Sequence, residues 1–334
     1  MLPSFIPTRA EDAEALVAIR IAAMRPSLMA AGRFDPERAR MRFLSSFEPG
    51  QCFFIMGAQA SEPLGFFSLR RDADGLTLQH LYLLPAWQGS GCGGQVLRRI
   101  LACADRLALP VRVGALRGSD ANRFYQRHGF VQVGEEEWDI HYLRPASTES
   151  LSRPALQNAC EIRFLGSADL APLESILRQH VRDLHSGEVV EQEVQAILGY
   201  MQGARDDNGH LRSYLVTTDA NGAVAGCMAI AEPERRMREH FPMLEKDALE
   251  LLNVFVDRQR HGQGTGRRLL AAICADARAA GAHTLIVNSG PRYRANWGFY
   301  DRCFDHEHGM LPDYYGPGRD ARCWSLNLRH GIQK

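Results

Sequence analysis

Apolar residues recur along this chain in two rhythms, one of strands and one of helices, and the same order of rhythms occurs twice. Residues 5–12 (FIPTRAED) predict a short strand leading into a helix whose first turn holds Glu11 and Asp12. That helix carries Leu16, Ile19, Ala23 and Met24 on one face. Pro26 is expected to end or kink it, because proline lacks the N–H that a helix interior uses. A second helix is predicted near Asp35-Pro36, with proline in a first-turn position. The runs 52–57 (CFFIMG) and 63–70 (PLGFFSLR), joined by the polar Gln59-Ala60-Ser61-Glu62, predict a hairpin of buried strands. Residues 76–84 predict a further strand. From 95 to 107 the period becomes 3.6, with Val96, Leu97, Ile100, Leu101, Ala104 and Leu107 forming one stripe of a helix. A strand at 111–116 (VRVGAL) and a short helix at 120–127 follow.

Periodicity is lost at 145–160 (PASTESLSRPALQNAC), where proline, serine and threonine predict a linker. The opening order then begins again. EIRFLGSADLAPLESIL repeats the first strand and helix, and SYLVTTDANGAVAGCMAIAEP repeats the hairpin, with Asn221-Gly222 as a turn signal. LYLLPAWQGSGCGGQVL (81–97) returns as VFVDRQRHGQGTGRRLL (254–270), 173 residues on at the central glycine. A period of domain size predicts tandem duplication: a first domain over 1–146, a linker over 147–160 and a second domain over 161–334. The second half differs mainly in an acidic-basic segment at 232–247 and a long tail at 306–328.

In each half the strand passes into the helix through glycines on alternate positions: Gly89, Gly91 and Gly93, then Gly262, Gly264 and Gly266. Glycine lacks the Cβ that keeps a ligand off the backbone, and it tolerates positive φ. Such a loop leaves the helix's first N–H groups and the positive end of its dipole facing open space, a site suited to phosphate. Three alternatives fit the pattern. One is a glycine-rich turn with no ligand. Another is a dinucleotide fingerprint, which Gly89, Gly91 and Gly94 match as G-x-G-x-x-G. Arg267 replaces the third glycine in the repeat, however, and no strand with a terminal acidic residue clearly follows about 20 residues on. The last is Q/R-x-x-G-x-G/A. Gln88-Gly89-Ser90-Gly91-Cys92-Gly93 fits it fully, and His261-Gly262-Gln263-Gly264-Thr265-Gly266 fits it apart from the leading histidine.

On these residues the sequence resembles the GNAT superfamily of acyl-CoA-dependent N-acyltransferases, over nearly the whole chain and as two domains. The resemblance implies an α/β fold: two tandem GNAT domains, each a mixed, mostly antiparallel sheet flanked by helices. It implies direct transfer of acetyl from acetyl-CoA to a primary amine, on a small molecule or a peptide, in a ternary complex. Acetyl-CoA would meet Leu83, Leu84, Gln88, Gly89, Ser90, Gly91, Cys92, Gly93 and Gly94 in the first half. In the second it would meet Val256, His261, Gly262, Gln263, Gly264, Thr265 and Gly266. A CoA-holding sensor, or one catalytic domain beside a degenerate pseudo-subunit, is the alternative.

Amine acylation poses two proton problems. An alkylammonium with a pKa near 10.4 must lose a proton before it attacks, which costs roughly 4–5 kcal/mol at pH 7. The departing thiolate leaves more easily as a thiol, so a weak acid near sulfur helps. The segment Ala121-Asn122-Arg123-Phe124-Tyr125-Gln126-Arg127-His128-Gly129-Phe130 resembles the family's A-x-x-F-Y-x-x-x-G-F, which makes Tyr125 the implied acid. Gly118 stands where the family often has asparagine. Trp297-Gly298-Phe299-Tyr300 is a looser match, with Tyr300 in the acid's place. Glu250, eleven residues before His261, holds an offset at which some members keep their catalytic glutamate. The first half has Thr77 there, which leaves His80 as its nearest group with a suitable pKa.

Composition narrows the picture further. A length of 334 residues suits two domains of about 150. Lys+Arg and Asp+Glu are both 39, so no global field favours nucleic acid or an anionic membrane. The start MLPSFIPTRAEDAEAL has neither a basic n-region nor a long apolar core, and no apolar run approaches the roughly 18 residues of a span. Eight scattered cysteines without a C-x-x-C pair read as reduced residues of a cytoplasmic protein. His306-Glu307-His308 is too tight for a zinc helix, so no metal is expected. The assembly is expected to be a monomer with pseudo-dimeric domains or a homodimer.

Overall fold

A computed structural model describes residues 3–57, 60–147, 161–241 and 244–329. In the first half, β1 (Ser4–Pro7), the helices α1 (Ala13–Ala30) and α2 (Pro36–Leu44), and strands β2 (Cys52–Met56), β3 (Pro63–Asp72) and β4 (Gly75–Leu83) come first. Helix α3 (Cys92–Arg106), β5 (Val111–Leu116), α4 (Asp120–Gln126), β6 (Val131–Glu135) and β7 (Asp139–Arg144) follow. They build one sheet in the order β1-β2-β3-β4-β5-β7-β6. The β4–β5 pair is parallel, while β2–β3, β3–β4, β5–β7 and β6–β7 are antiparallel. A parallel pair requires a crossover, and α3 supplies it.

The second half repeats this plan. It has β8 (Ile162–Phe164), α5 (Leu170–His180), α6 (Glu191–Met201), β9 (Ser213–Thr218), β10 (Val224–Ala231) and α7 (Arg235–His240). Then come β11 (Leu249–Val256), α8 (Thr265–Ala280), β12 (Thr284–Ser289), α9 (Trp297–Cys303), β13 (His306–Leu311) and β14 (Ala321–Asn327). Its sheet runs β13-β14-β12-β11-β10-β9-β8, again with one parallel pair, β11–β12. Apart from Pro3 and Ser4, the described residues fall into two compact units that correspond to these halves. Most of the expected linker, residues 148–160, lies outside the described residues. No described helix is long and apolar enough to cross a membrane.

Two features of each sheet place the site. The parallel strands are registered over only three residues, Leu76–Leu78 with Val111–Val113 and Leu249–Leu251 with Leu285–Val287. Beyond that, β4 and β11 lose their partner on that side, so backbone amides face a cleft that leads to the glycine loop. Each strand also carries a β-bulge, between Ser68↔His80 and Leu69↔Leu78 in β4, and between Cys227↔Phe255 and Ala229↔Leu252 in β11. The extra residue bends the strand and re-aims the side chains beyond it. In β11 the bulge includes Asn253 at φ 48°, a left-handed conformation that asparagine tolerates better than most residues.

Two expectations from sequence shift in detail, and two segments left without a reading gain one. Helix α1 runs through Pro26 to Ala30. Pro26 lies on an exposed face, where water can satisfy the carbonyl that loses its N–H partner. The helix expected at 95–107 begins at Cys92, because Gly93 and Gly94 form its first turn instead of extending the loop. The segment 232–247 includes α7, and the tail at 306–328 is the last hairpin of the second sheet.

Candidate functional site

Both glycine loops end in a left-handed glycine that caps the following helix. Gly91 (φ 86°) precedes α3 and Gly264 (φ 75°) precedes α8, so the first N–H groups of both helices are turned outward. A residue with a Cβ is strained at such a φ. The third glycine is not under that constraint. A Cβ on Gly93 would lie 3.4 Å from Leu83 and 3.7 Å from Phe124, and one on Gly266 would lie 3.5 Å from Phe299. These are ordinary contact distances, so α3 and α8 would pack against the aromatic residue that precedes each candidate acid with or without a Cβ there.

The mismatch at His261 has a structural explanation. Gln88 donates from Nε2 to the Leu83 carbonyl at 2.9 Å, and His261 places Nε2 3.1 Å from the Val256 carbonyl. The two loops are thus braced at equivalent carbonyls by different side chains. His180 reaches the same Val256 carbonyl at 2.8 Å and stacks on His261, and burial holds its pKa below the usual histidine value.

A cavity of about 600 Å³ opens at the first loop, walled in part by Leu83, Gln88, Gly89, Gly91, Gly93, Gly94 and Tyr125. Three other expected contacts are turned from it. Leu84 packs against the α1–α2 core, Ser90 Oγ donates to the Trp87 carbonyl at 2.6 Å, and Cys92 is not part of the wall. At the second loop a cavity of about 500 Å³ is walled by Val256, His261, Gly262, Gly264, Thr265, Gly266 and Tyr300. Gln263 instead folds its amide back onto the Gln259 carbonyl at 2.9 Å.

Tyr125 and Tyr300 occupy corresponding places on α4 and α9. Both are 5% exposed, and burial pushes both phenols well above their ordinary pKa, so each is a neutral O–H donor at any physiological pH. The two differ in what lies beyond them. Tyr300 also forms the wall of a second cavity of about 310 Å³, together with Tyr200, Arg212, Asn253, Asn288, Tyr293 and Tyr315. It therefore stands between a phosphate-suited cradle and a tyrosine-rich chamber on the α6 side of β11.

Glu250 is 2% exposed. Its carboxyl lies behind the chamber wall. Asn288 Nδ2 donates to Oε1 at 2.8 Å, and the Glu234 N–H reaches Oε2 at 3.4 Å. Burial, with the nearby Glu234 carboxylate adding to it, raises the Glu250 pKa to about 8. The strand is thus fully enclosed at this point. In the first unit Thr77 faces outward and donates to Asp72 at 3.2 Å. His80 is packed among Phe43, Phe66 and Tyr82, outside the cavity wall. Burial and, to a lesser degree, Arg20 lower its pKa to about 4, and its Nδ1 has no partner. Gly118 adopts φ 76° and offers no side chain to the cleft.

Asn288, Asn253, Tyr314 and Tyr315 were not singled out from sequence. Asn253 accepts from Arg212 Nη1 and from Tyr214 Oη, each at 2.7 Å. Tyr315 donates to Asn288 Oδ1. The Asp-Tyr-Tyr-Gly-Pro-Gly stretch between β13 and β14 was the available signal, since turn residues flank two adjacent aromatics. Among the described residues, Glu245, Asp247 and His283 form a cluster of possible metal ligands at the surface, where Arg329 already donates to Glu245. None of the three walls a cavity named above.

Residues 49–132 match the family described as acetyltransferase (GNAT) domain, and residues 173–305 match the acetyltransferase (GNAT) family. Among solved structures, the yncA protein of Salmonella typhimurium, with its cofactor acetyl-CoA, is 23% identical, with coverage of 51% of this chain and 94% of that one and a TM-score of 0.38. The ribosomal-protein-S18-alanine N-acetyltransferase of Escherichia coli is 19% identical, with coverage of 53% and 98% and a TM-score of 0.36. An aminoglycoside 6'-N-acetyltransferase complexed with coenzyme A is 13% identical, with coverage of 50% and 96% and a TM-score of 0.36. The search of curated proteins gave no match. With a GNAT match in each half and the same sheet order in both, the chain belongs to the GNAT acetyltransferase family as a tandem of two GNAT domains.

Proposed function

We propose that the second unit transfers acetyl from acetyl-CoA to a primary amine, and that the first unit holds acetyl-CoA without turning it over. The observation that carries this is Tyr300, which walls both the cradle cavity and the tyrosine-rich chamber. Acetyl-CoA would lie with its diphosphate on the outward N–H groups of Gly262–Gly266 and its pantetheine along the open edge of β11. That pose brings the thioester toward Tyr300, whose neutral phenol is suited to protonate the departing thiolate. The amine attacks from the chamber side, in a ternary complex. Glu193 also lines the chamber but is paired with Arg292 at 2.6 Å. Glu250, whose burial raises its pKa, is the carboxyl suited to receive the amine's proton, and because it lies behind the wall, the proton passes to it by way of water.

The first unit retains the cradle and Tyr125 but none of the proton-accepting apparatus. In the paired strands Glu250 corresponds to Thr77 and Asn288 to Gly114, and counting 173 residues back Asn253 becomes His80. The β13–β14 loop, with its two tyrosines, is reduced to the short turn between Glu135 and Asp139. The test uses Gly91→Val and Gly264→Val separately, with acetyl-CoA binding followed by calorimetry and thiol release followed over a panel of primary amines. Each variant should lose about one equivalent of binding, and only Gly264→Val should abolish thiol release. Loss of release in Gly91→Val, with release kept in Gly264→Val, would reverse the assignment of the two units.

A further inference from the structure

We propose that Tyr315 receives the acceptor's nitrogen in the second unit, its hydroxyl coupled to Glu250 through the side-chain amide of Asn288. The inference rests on the reading of Glu250 as the proton-accepting carboxyl, and adds the group that connects it to the chamber.

Three contacts place Tyr315. Its hydroxyl donates to Asn288 Oδ1, and Asn288 Nδ2 donates to Glu250 Oε1 at 2.8 Å. Its ring lies on the bare Cα of Gly290, where a Cβ would come within 2.6 Å of Cδ2 and 2.7 Å of Cε2. Gly290 has φ −82° and ψ 175°, which any residue adopts, so backbone conformation does not demand glycine there. The space is needed for the tyrosine. The ring also walls the chamber that Tyr300 shares.

An amide between a carboxyl and a phenol transmits protonation state. When Glu250 is ionised it only accepts, so Asn288 presents its NH₂ to the carboxylate and its oxygen to Tyr315. The phenol then spends its proton on Asn288 and turns a lone pair toward the chamber, where an ammonium can donate to it. When Glu250 is protonated its O–H donates, the amide reverses, and Tyr315 accepts from the NH₂ group. The phenolic proton then turns into the chamber, and the second lone pair of the phenol oxygen can accept an N–H of the neutral amine, whose own lone pair stays free to attack the thioester. The hydrogen-bond polarity at the chamber wall thus follows the charge on Glu250, and no covalent bond is made or broken in the chain. The other groups facing Glu250 are Glu234 ahead of α7, Arg212 beside β9, Tyr314 on the β13–β14 loop and Cys323 on β14. None of these replaces the Asn288 donor.

The test uses the full chain and needs no known acceptor for its first arm. The Glu250 carboxyl is followed by ¹³C NMR from pH 5 to 10, with Glu250→Gln identifying its resonance by difference. Tyr315→Phe keeps the ring on Gly290 and removes the hydroxyl, whereas Gly290→Ala keeps the hydroxyl and displaces the ring. Both should move the Glu250 midpoint upward by about one pH unit, since Asn288 is no longer held as a donor to the carboxylate. The double variant should show no further change. In the second arm, acetyl-CoA and a panel of primary amines are assayed by thiol release. Both variants should lower kcat/KM for the amine roughly 10- to 100-fold, with acetyl-CoA affinity unchanged. A parental midpoint in both single variants overturns the proposal, whatever the panel gives. If Glu250→Gln keeps parental turnover while Tyr315→Phe lowers it, the base reading fails and the Tyr315 contact stands. If Glu250→Gln loses turnover and Tyr315→Phe does not, the base reading stands and the contact falls.

Discussion

Replacing Glu250 by glutamine should remove a pH dependence of stability whose sign and size follow from the carboxyl's burial. The group is 2% exposed, and its midpoint is raised from an ordinary 4.5 to about 8, first by burial and then by the Glu234 carboxylate. A carboxyl with a raised midpoint stays protonated in the folded chain while the unfolded chain has already released its proton. Between pH 4.5 and about 8 the folded state therefore binds more protons, and stability falls as pH rises through that window. Each pH unit of the window is worth about 1.36 kcal/mol, so the whole span corresponds to on the order of 4–5 kcal/mol. Relaxation of the site and entry of water reduce that figure, and a measurable effect of about 2–3 kcal/mol is expected. Glutamine keeps the volume and can still hydrogen-bond Asn288, yet it does not titrate.

Hydrogen exchange read by mass spectrometry on peptides spanning Leu249–Val256 confines the measurement to the strand concerned. Comparing parent with Glu250→Gln at the same pH cancels the intrinsic pH dependence of exchange. It also cancels the opposite contribution of His180, whose lowered pKa favours the folded state as pH rises. The parent should lose protection relative to the variant steadily from pH 5 to 8 and level off above that. Equal protection at every pH would mean that Glu250 is ionised in the folded chain, and the picture of a neutral buried acid would be wrong.

Other outcomes follow from the same geometry. Tyr300→Phe should lower acetyl transfer by about 10²–10⁴-fold with little change in acetyl-CoA affinity, whereas Tyr125→Phe should leave turnover near parental; equal losses in steady-state assays would mean two matched sites. The amine-dependent rate should climb with pH and level off above about 8, and Glu250→Gln should flatten that rise, which a pH–rate profile checks. His261→Gln should retain acetyl-CoA binding, because glutamine performs the same brace at Leu83 in the first unit, while His261→Ala should weaken it several-fold by calorimetry. Asp169 is 2% exposed and accepts both Arg163 guanidinium nitrogens and the Gly166 N–H, so Asp169→Ala should cost about 3 kcal/mol in urea unfolding.

What sequence revealed here, and what it hid, divides along one physical line. Contacts that depend on backbone conformation leave local marks. Glycines at left-handed φ, an Asn-Gly turn and a 3.6-residue stripe are written within ten residues of where they act, and so the cradles, the repeat and the order of elements were legible. The offset from the loop places Glu250 on β11, because strand and loop are contiguous. The apparatus around it joins residues far apart in the chain: Asn288 on β12 and Tyr315 on a hairpin loop 27 residues later. No local pattern connects them, since their meeting depends on β12 pairing with β11 on one side and β14 on the other. Gly290 shows the limit most clearly. Ser289-Gly290-Pro291 reads as a turn, yet the backbone of Gly290 is ordinary, and its reason for lacking a side chain is a tyrosine ring 25 residues ahead. His80 shows the reverse: its offset suggests chemistry, and β4 directs it among Phe43, Phe66 and Tyr82. Sequence position relative to a motif identifies which strand a residue occupies. Only the bulge and the helices packed on that strand decide which side of it faces a ligand.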